Sequence, residues 1–552
     1  FAIITSLFVM KKRFCSLLLF CIVFTLSVAA QTEYYFYVQF SDKNNSPYSL
    51  SNPSAYLSAR AIERRNAFGI SCDSTDLPVN PSYINQMSIP GIKLHSRSKW
   101  MNGVTVLVGD SSLMQQVRAL PFVKWVQYSG QLNIPKAARK KAKSKATEFN
   151  YGATATQINQ LNGSHLHARG FMGQNIHIGV LDAGFANVDV NSGFDSLRTQ
   201  GRLLGTKDII FPGNNVFAED YHGAQVLSVM AANLQDQFVG TAPHASYWLI
   251  RTEYDPTEYL VETDFWVAGV EFADSVGVDV INSSLAYTVF DDPSMDFSYA
   301  DMNGKVSRAS RVATMAAQKG IVVCNSAGND GSKSWRYIGS PADAEKIFTV
   351  GSVTQTGAPS YFSSFGPSAD NRTKPDLCAM GSASSVLSAW GSITTNNGTS
   401  FSSPIMAGML ACLLQRYKSF DPQPNLDVFY NAVIQSCNLH DAPTTQMGYG
   451  IPDFLQAEMN LPLYNAVDKI DDDNDRLVDI TVYPDQINIR KRIDNPSENY
   501  SASVYSSNGS IVSSTAFNNE STFIPTIHLV KGIYAITVTS GKKVQTQKIA
   551  IR

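Results

Sequence analysis

Between residues 151 and 461 the chain alternates short, almost unbroken apolar runs with longer amphipathic ones. Residues 176–181 form one such run, and a helical pattern opening at His222 follows after a loop. Residues 245–251 precede a helical pattern near 261–276. Residues 278–283 precede another that ends near Lys319, and residues 321–325 end in a glycine turn. A strand reads as continuously apolar only when both of its faces are buried, and helices between such strands supply the cover. The pattern therefore predicts an α/β fold: a parallel sheet with helices on both faces. In such folds reactive groups gather at the carboxyl ends of the strands.

At 552 residues the chain is too long for one core, since domains average about 100–200 residues. With 44% hydrophobic residues, 16% charged and a net charge of -2, it has the composition of a soluble globular protein. Nothing in that balance pulls it toward nucleic acid. Met10-Lys11-Lys12-Arg13, the apolar stretch 15–28 and Ala29-Ala30-Gln31 read as a signal peptide over residues 10–30, cut after Ala30. The competing membrane anchor has too short an apolar core. Residues before Met10 are read as lying upstream of the start.

Residues 31–134 pair strand-like runs (34–38, 104–108) with a helix-like stretch at 55–66, a small α+β domain. A basic linker at 135–150 follows, a region suited to processing; a plain tether and a nucleic-acid patch are the alternatives. Residues 151–461 carry the α/β pattern. Residues 462–479 read as a linker, whose acidic run 468–475 lacks the glycine and terminal glutamate of an EF-hand loop. Residues 480–552 have short alternating strands broken by Asn508-Gly509 and Lys531-Gly532, as a small β-sandwich would. Once the signal is removed, Cys72, Cys324, Cys378, Cys412 and Cys437 remain without a CxxC pair, so no disulfide framework or zinc site is expected.

Three polar groups stand out against the α/β pattern. Asp182 ends an apolar run, His222 opens a helical one, and Ser400 lies in Gly398-Thr399-Ser400-Phe401-Ser402-Ser403-Pro404 ahead of an apolar segment. A serine hydroxyl is a weak nucleophile unless an imidazole takes its proton and a carboxylate orients that imidazole. Any one of the three alone would read as structural; together they suggest a serine peptidase. Asn329, on the glycine turn after residue 325, could donate to an oxyanion or merely form the turn. The Ser400 N–H at a helix start is a second candidate donor. His165 and His167 are expected to be a helix-surface pair, and His440-Asp441 is a weaker rival for the base and carboxylate.

Val180-Leu181-Asp182-Ala183-Gly184, His222-Gly223-Ala224-Gln225-Val226, Ser326-Ala327-Gly328-Asn329 and the Ser400 segment resemble, in order, the four signature blocks of subtilisin-like serine peptidases. The resemblance implies Ser400 as nucleophile, His222 as general base and then acid, Asp182 as orienting carboxylate and Asn329 as oxyanion donor. It implies that Ser284, Leu285 and Ala286 pair the substrate backbone, although the family usually has glycine at the position of Ala286. Gly448-Tyr449-Gly450-Ile451-Pro452-Asp453 departs too, at its last position. By the same resemblance the N-terminal domain is a propeptide, no cofactor is required for the chemistry, and structural calcium is common but its ligands here are not assignable.

The ending, with Gly532-Ile533-Tyr534 and Lys548-Ile549-Ala550-Ile551-Arg552, resembles Bacteroidetes type IX sorting domains; Val482-Tyr483-Pro484-Asp485 departs from their usual opening, and a generic binding β-module is the competing reading. The expectation is a secreted or cell-surface serine endopeptidase made as an autoinhibited precursor. Its partners would be protein or peptide substrates, its own propeptide and the secretion machinery, not nucleic acid. A silent scaffold acting as an adhesin would suit a missing triad member. A lipase-like hydrolase is disfavoured because the serine lacks a Gly-x-Ser-x-Gly elbow. Activity should rise through about pH 6–7 with loss of the His222 proton.

Overall fold

The computed structural model describes residues 33–132, 151–461, 477–483, 485–492, 499–506, 510–541 and 543–551. The expected signal segment, basic linker and acidic run 468–475 lie outside the described residues.

Seven parallel strands form the central sheet, in the order Leu377–Met380, Phe348–Val353, Val322–Ser326, Val280–Ser283, His177–Asp182, Ser246–Arg251, Leu203–Asp208. Its middle strands are buried at almost every position, which is why they read as largely apolar runs without a polar alternation. Period-2 alternation divides their side chains between two cores. Ile178, Val180, Val280, Val322 and Cys324 face the helices His222–Ala231 and Thr399–Phe420. Leu181, Ile250, Ile281 and Val323 face the helices Val261–Val276 and Arg308–Gln318.

The N-terminal unit is a four-stranded antiparallel sheet in the order Ile92–Ser98, Gly103–Val108, Tyr34–Phe40, Val123–Gln131. Phe36, Val38 and Phe40 fill its own core. Tyr35 and Tyr37, on the other face of the same strand, join the core built on Phe265 and Trp266. The expected helix at 55–66 is a short 3-10 turn, Pro53–Ala55, followed by the helix Ala59–Ala67, because Ser58 caps it by accepting from the Ala61 N–H.

That helix delivers Arg64 and Arg65 to Asp274, at 2.5 and 2.9 Å, and Lys99 joins them at 2.8 Å. Burial alone would favour a neutral Asp274, yet the three cations hold its carboxyl well below the usual range. Gly277 ends the helix Val261–Val276 at φ +87°, and a Cβ there would lie 2.8 Å from the Ala61 nitrogen, so glycine is needed for both the turn and the contact. Asp274→Ala removes the shared partner of three buried cations, of which only Arg65 keeps another carboxylate, Asp76 at 2.9 Å, and is expected to cost about 3–5 kcal/mol, read as a lowered denaturation midpoint of the unprocessed chain.

The C-terminal strands form two antiparallel sheets, of three and four strands, around Ile487, Ile489, Val504, Ile536 and Val538. This is a β-sandwich. Its first strand, Val478–Val482, begins two residues before the expected boundary because Leu477 and Val478 are already buried in that core. The five described cysteines are free, four of them buried.

His165 and His167 are not a surface pair. Residues two apart on a helix do not face the same way, and the turn Ser164–Ala168 sends His167 inward. Its Nε2 donates to the Thr241 carbonyl at 2.9 Å and its Nδ1 accepts from the Tyr151 hydroxyl at 3.0 Å; burial lowers its pKa to about 4. His165 turns instead to Glu458, at 3.1 Å.

Candidate active site

Asp182 is the last residue of the central strand His177–Asp182 and is fully buried. Its Oδ1 accepts from the Ala183 N–H at 2.8 Å and from His222 Nδ1 at 2.7 Å. His222 opens its helix, with its own N–H donating to Asp220 Oδ1 at 2.6 Å. The close approach depends on Gly223: a Cβ there would lie 2.3 Å from the Gly184 carbonyl oxygen and 2.8 Å from Asp182 Cβ. Any larger residue would push the helix start, and the imidazole with it, off the strand end.

Since a carboxylate oxygen only accepts, the Asp182 contact assigns the proton to His222 Nδ1 and leaves Nε2 as the basic atom of the neutral ring. Burial opposes charge on this imidazole. The adjacent Asp182 charge and hydrogen bond outweigh that, with help from Asp220 and Glu253, and push the His222 pKa from 6.5 up to about 9.

Ser400 is the second residue of the helix Thr399–Phe420 and is buried at 8% exposure. Proline at position 404 has no N–H, so the Ser400 carbonyl lacks the intrahelical donor four residues on. Ser284 Oγ donates to that carbonyl at 2.9 Å, and Ser400 Oγ donates to the Ser284 carbonyl at 3.3 Å. The nucleophile candidate is thereby tied to the loop after Val280–Ser283. Phe401, its neighbour, has its ring 6.0 Å from the His222 ring. In this resting geometry Ser400 Oγ is bonded to Ser284 rather than to His222.

Thr399 orients Asn329. Its N–H and its hydroxyl both donate to Asn329 Oδ1, at 2.9 and 3.0 Å, which turns Nδ2 outward. A point one Cβ bond from Gly398 lies 3.8 Å from Asn329 Nδ2 and 3.6 Å from the Ser400 nitrogen, so the two donors border one space. Among the described residues none bonds the Ala286 N–H or carbonyl. The Ala286 methyl points at Gly328 and Gly339, 3.8 and 3.3 Å from where their Cβ atoms would be.

The rival pair His440 and Asp441 is hydrogen-bonded at 2.9 Å, but Asp441 stands fully in solvent. Sequence reasoning missed Thr399 as the residue fixing Asn329, although it lies inside the Ser400 motif. It also missed Asp220 and Glu253, whose charges reach His222.

Glu253 belongs to a group with Glu258 and Glu262 whose oxygens lie within 4.8 Å of one another. Three carboxylates suit a hard cation. Here, though, Glu262 accepts from the Tyr254 and Tyr259 N–H groups and Glu253 from the Tyr287 hydroxyl. Burial, reinforced by neighbouring charge, raises the pKa of all three, Glu258 to about 9. Glu258 and Glu262 thus favour keeping their protons, which leaves the group short of the charge a calcium site needs, and no calcium is assigned to it.

Residues 173–456 match the subtilase family. The chain belongs to the subtilase family. Residues 35–147 match the peptidase S8 propeptide domain of Bacteroidota, and residues 481–552 a secretion system C-terminal sorting domain. Subtilisin NAT of Bacillus subtilis subsp. natto is 26% identical over 337 residues, spanning 60% of this chain and 76% of that protein. Subtilisin DY of Bacillus licheniformis is 28% identical over 261 residues, 47% of this chain and 83% of its own. The crystal structure of MycP1 with its N-terminal propeptide removed is 21% identical with a TM-score of 0.42, covering 55% of this chain and 96% of that one. This subtilase is a serine-type endopeptidase with a propeptide domain, and its sorting domain directs it to type IX export, secreted or at the cell surface.

Proposed function

We propose that this subtilase hydrolyses peptide bonds through an acyl-enzyme on Ser400, with His222 as base and then acid and Asp182 holding the imidazole. The observation that carries the reading is the 2.7 Å contact of His222 Nδ1 with the buried Asp182, beside a serine whose N–H and whose neighbour Asn329 border one space. Substrate binding turns Ser400 Oγ from the Ser284 carbonyl to His222 Nε2; catalytic hydrogen bonds commonly tighten only in the complex. Nε2 takes the hydroxyl proton as Oγ attacks the carbonyl carbon. The oxyanion meets Asn329 Nδ2 and the Ser400 N–H, His222 protonates the leaving amine, and water then releases the acyl group by the same steps in reverse. Every step uses the chain's own side chains and backbone, with no cofactor.

Ser284, Leu285 and Ala286 would align the substrate, with the unbonded Ala286 backbone as a strand edge for it to pair. The Ala286 methyl narrows the space toward Gly328 and Gly339, which favours small side chains there. Maturation would cut within residues 135–150, freeing the N-terminal unit, and the sandwich would be the part read by the secretion machinery.

Labelling the processed protein with a fluorophosphonate, with the adduct mapped by mass spectrometry, tests the reading. An adduct on Ser400 supports it; matured protein left unlabelled supports the silent scaffold. Asn329→Ala is expected to lower kcat by about 10²–10³-fold with little change in KM, since it removes one oxyanion donor; that magnitude is known from subtilisin, a relative of this chain. A loss confined to KM would assign Asn329 to substrate binding instead.

A further inference from the structure

His222 gives its proton to the leaving amine, so the half of the substrate beyond the cut departs past His222. Whatever lines that side of the imidazole meets the leaving half. Next to His222 in this chain stands an exposed aromatic pair. Tyr221, immediately before His222, is 49% exposed, and Trp390 is 52% exposed. Their ring centroids are 6.4 Å apart with planes tilted by 36°. Ile393, also exposed, lies on the same hairpin as Trp390. Single apolar residues in solvent are ordinary, but a grouped set marks a binding surface.

The set is held in place rather than carried on a loose loop. Trp390 sits at the tip of the hairpin formed by Ser384–Leu387 and Ile393–Asn396. Asn396 Nδ2 donates to Gln225 Oε1 at 2.8 Å and the Leu387 N–H donates to Ser228 Oγ at 3.0 Å, so both strands are pinned to the helix His222–Ala231. Asn191 Nδ2 holds the tip through the Ser388 carbonyl, at 3.0 Å. The second strand runs within a few residues into Gly398 and Ser400, which fixes the indole relative to both reacting side chains. A surface rigid before binding loses little entropy on binding.

We propose that Tyr221 and Trp390 form a wall for the leaving half of the substrate and select an apolar or aromatic side chain just after the cut. The proposal rests on the roles given to Ser400 and His222 above. Both rings are uncharged, so a carboxylate placed there gains nothing, whereas an aromatic ring gains stacking and burial.

The test uses acyl transfer on the full processed protein. A peptide ester acylates Ser400, and the acyl-enzyme is partitioned between water and an added amine, phenylalaninamide or glycinamide. In the transfer the amine nitrogen bonds to the acyl carbon, its proton passes to His222, and Ser400 Oγ leaves and regains that proton. The wild type should transfer to phenylalaninamide at least about tenfold better than to glycinamide, and Trp390→Ala should remove most of that preference, with Trp390→Phe keeping it. Trp390→Gln replaces the alanine variant if that one does not fold. Equal transfer to both amines in the wild type, or a preference that survives loss of the indole, overturns the proposal. A wild type that fails to turn over the ester at all refutes the Ser400 reading instead, so the two failures are told apart.

Discussion

Ser400→Ala is expected to lower kcat for peptide hydrolysis by on the order of 10⁶-fold, a magnitude known for the nucleophile of subtilisin itself, to which this chain is similar. The loss is so large because attack, proton transfer and acyl-enzyme formation all pass through one oxygen. What survives is the rate supported by binding and by the oxyanion donors, which the substitution leaves in place. Its structural cost is small: Ser400 Oγ makes one hydrogen bond, 3.3 Å long, to Ser284, and a bond of this kind contributes about 0.5–1.5 kcal/mol. The variant should therefore unfold near the wild-type midpoint while its precursor stays unprocessed. Adding His222→Ala should lower the rate little further, because residues that act as one unit are not additive. A Ser400→Ala enzyme within tenfold of wild type would remove Ser400 from the chemistry.

The sequence reading reached furthest where burial is two-sided. The largely apolar runs at 176–181, 278–283 and 321–325 mark sheet strands because no solvent face imposes a polar alternation on them, and the helix Val261–Val276 lies where its pattern placed it. Less was legible where a side chain's partner is far along the chain. Nothing near His167 announces that Thr241 and Tyr151 enclose it. Nothing near Arg64 announces Asp274, more than 200 positions away.

The site divides in the same way. Asp182, His222 and Ser400 carry local signals, an apolar run ending in an acid and a helix start, and they lie together at the carboxyl edge. The details that tune them do not carry such signals. Pro404 sits in the same motif as Ser400, yet its effect appears only once Ser284 is seen donating to the carbonyl that the proline leaves free. Glu253 lies on a loop after its strand, and only the fold brings its charge to bear on His222. That is why the acid limb expected from the sequence, at about pH 6–7, moves upward once the surroundings of the imidazole are known.

The base must be neutral to accept the Ser400 proton, so raising the His222 pKa from 6.5 toward about 9 carries the acid limb of kcat/KM to higher pH. Asp182→Asn removes the largest of the charges that favour the imidazolium. The burial that remains acts the other way, so the limb should shift down, below that of the wild type. The rate should nevertheless fall by about 10⁴-fold, because an amide facing Nδ1 can donate to it and stabilise the wrong tautomer. Raising the pH cannot restore that loss, since it changes the charge on the ring and not which nitrogen holds the proton. Stability follows the opposite course. A histidine whose pKa is raised by folding contributes stability that is fully present below pH 6.5 and is lost as the pH climbs through about 9. The wild type thus gains activity over the same interval in which it loses this contribution, and Asp182→Asn should flatten that part of its stability profile. Denaturation midpoints of both proteins from pH 6 to 10, taken with their kcat/KM profiles, check the two arms together; a limb that stays at the wild-type position in Asp182→Asn would mean that Asp182 does not set the proton affinity of His222.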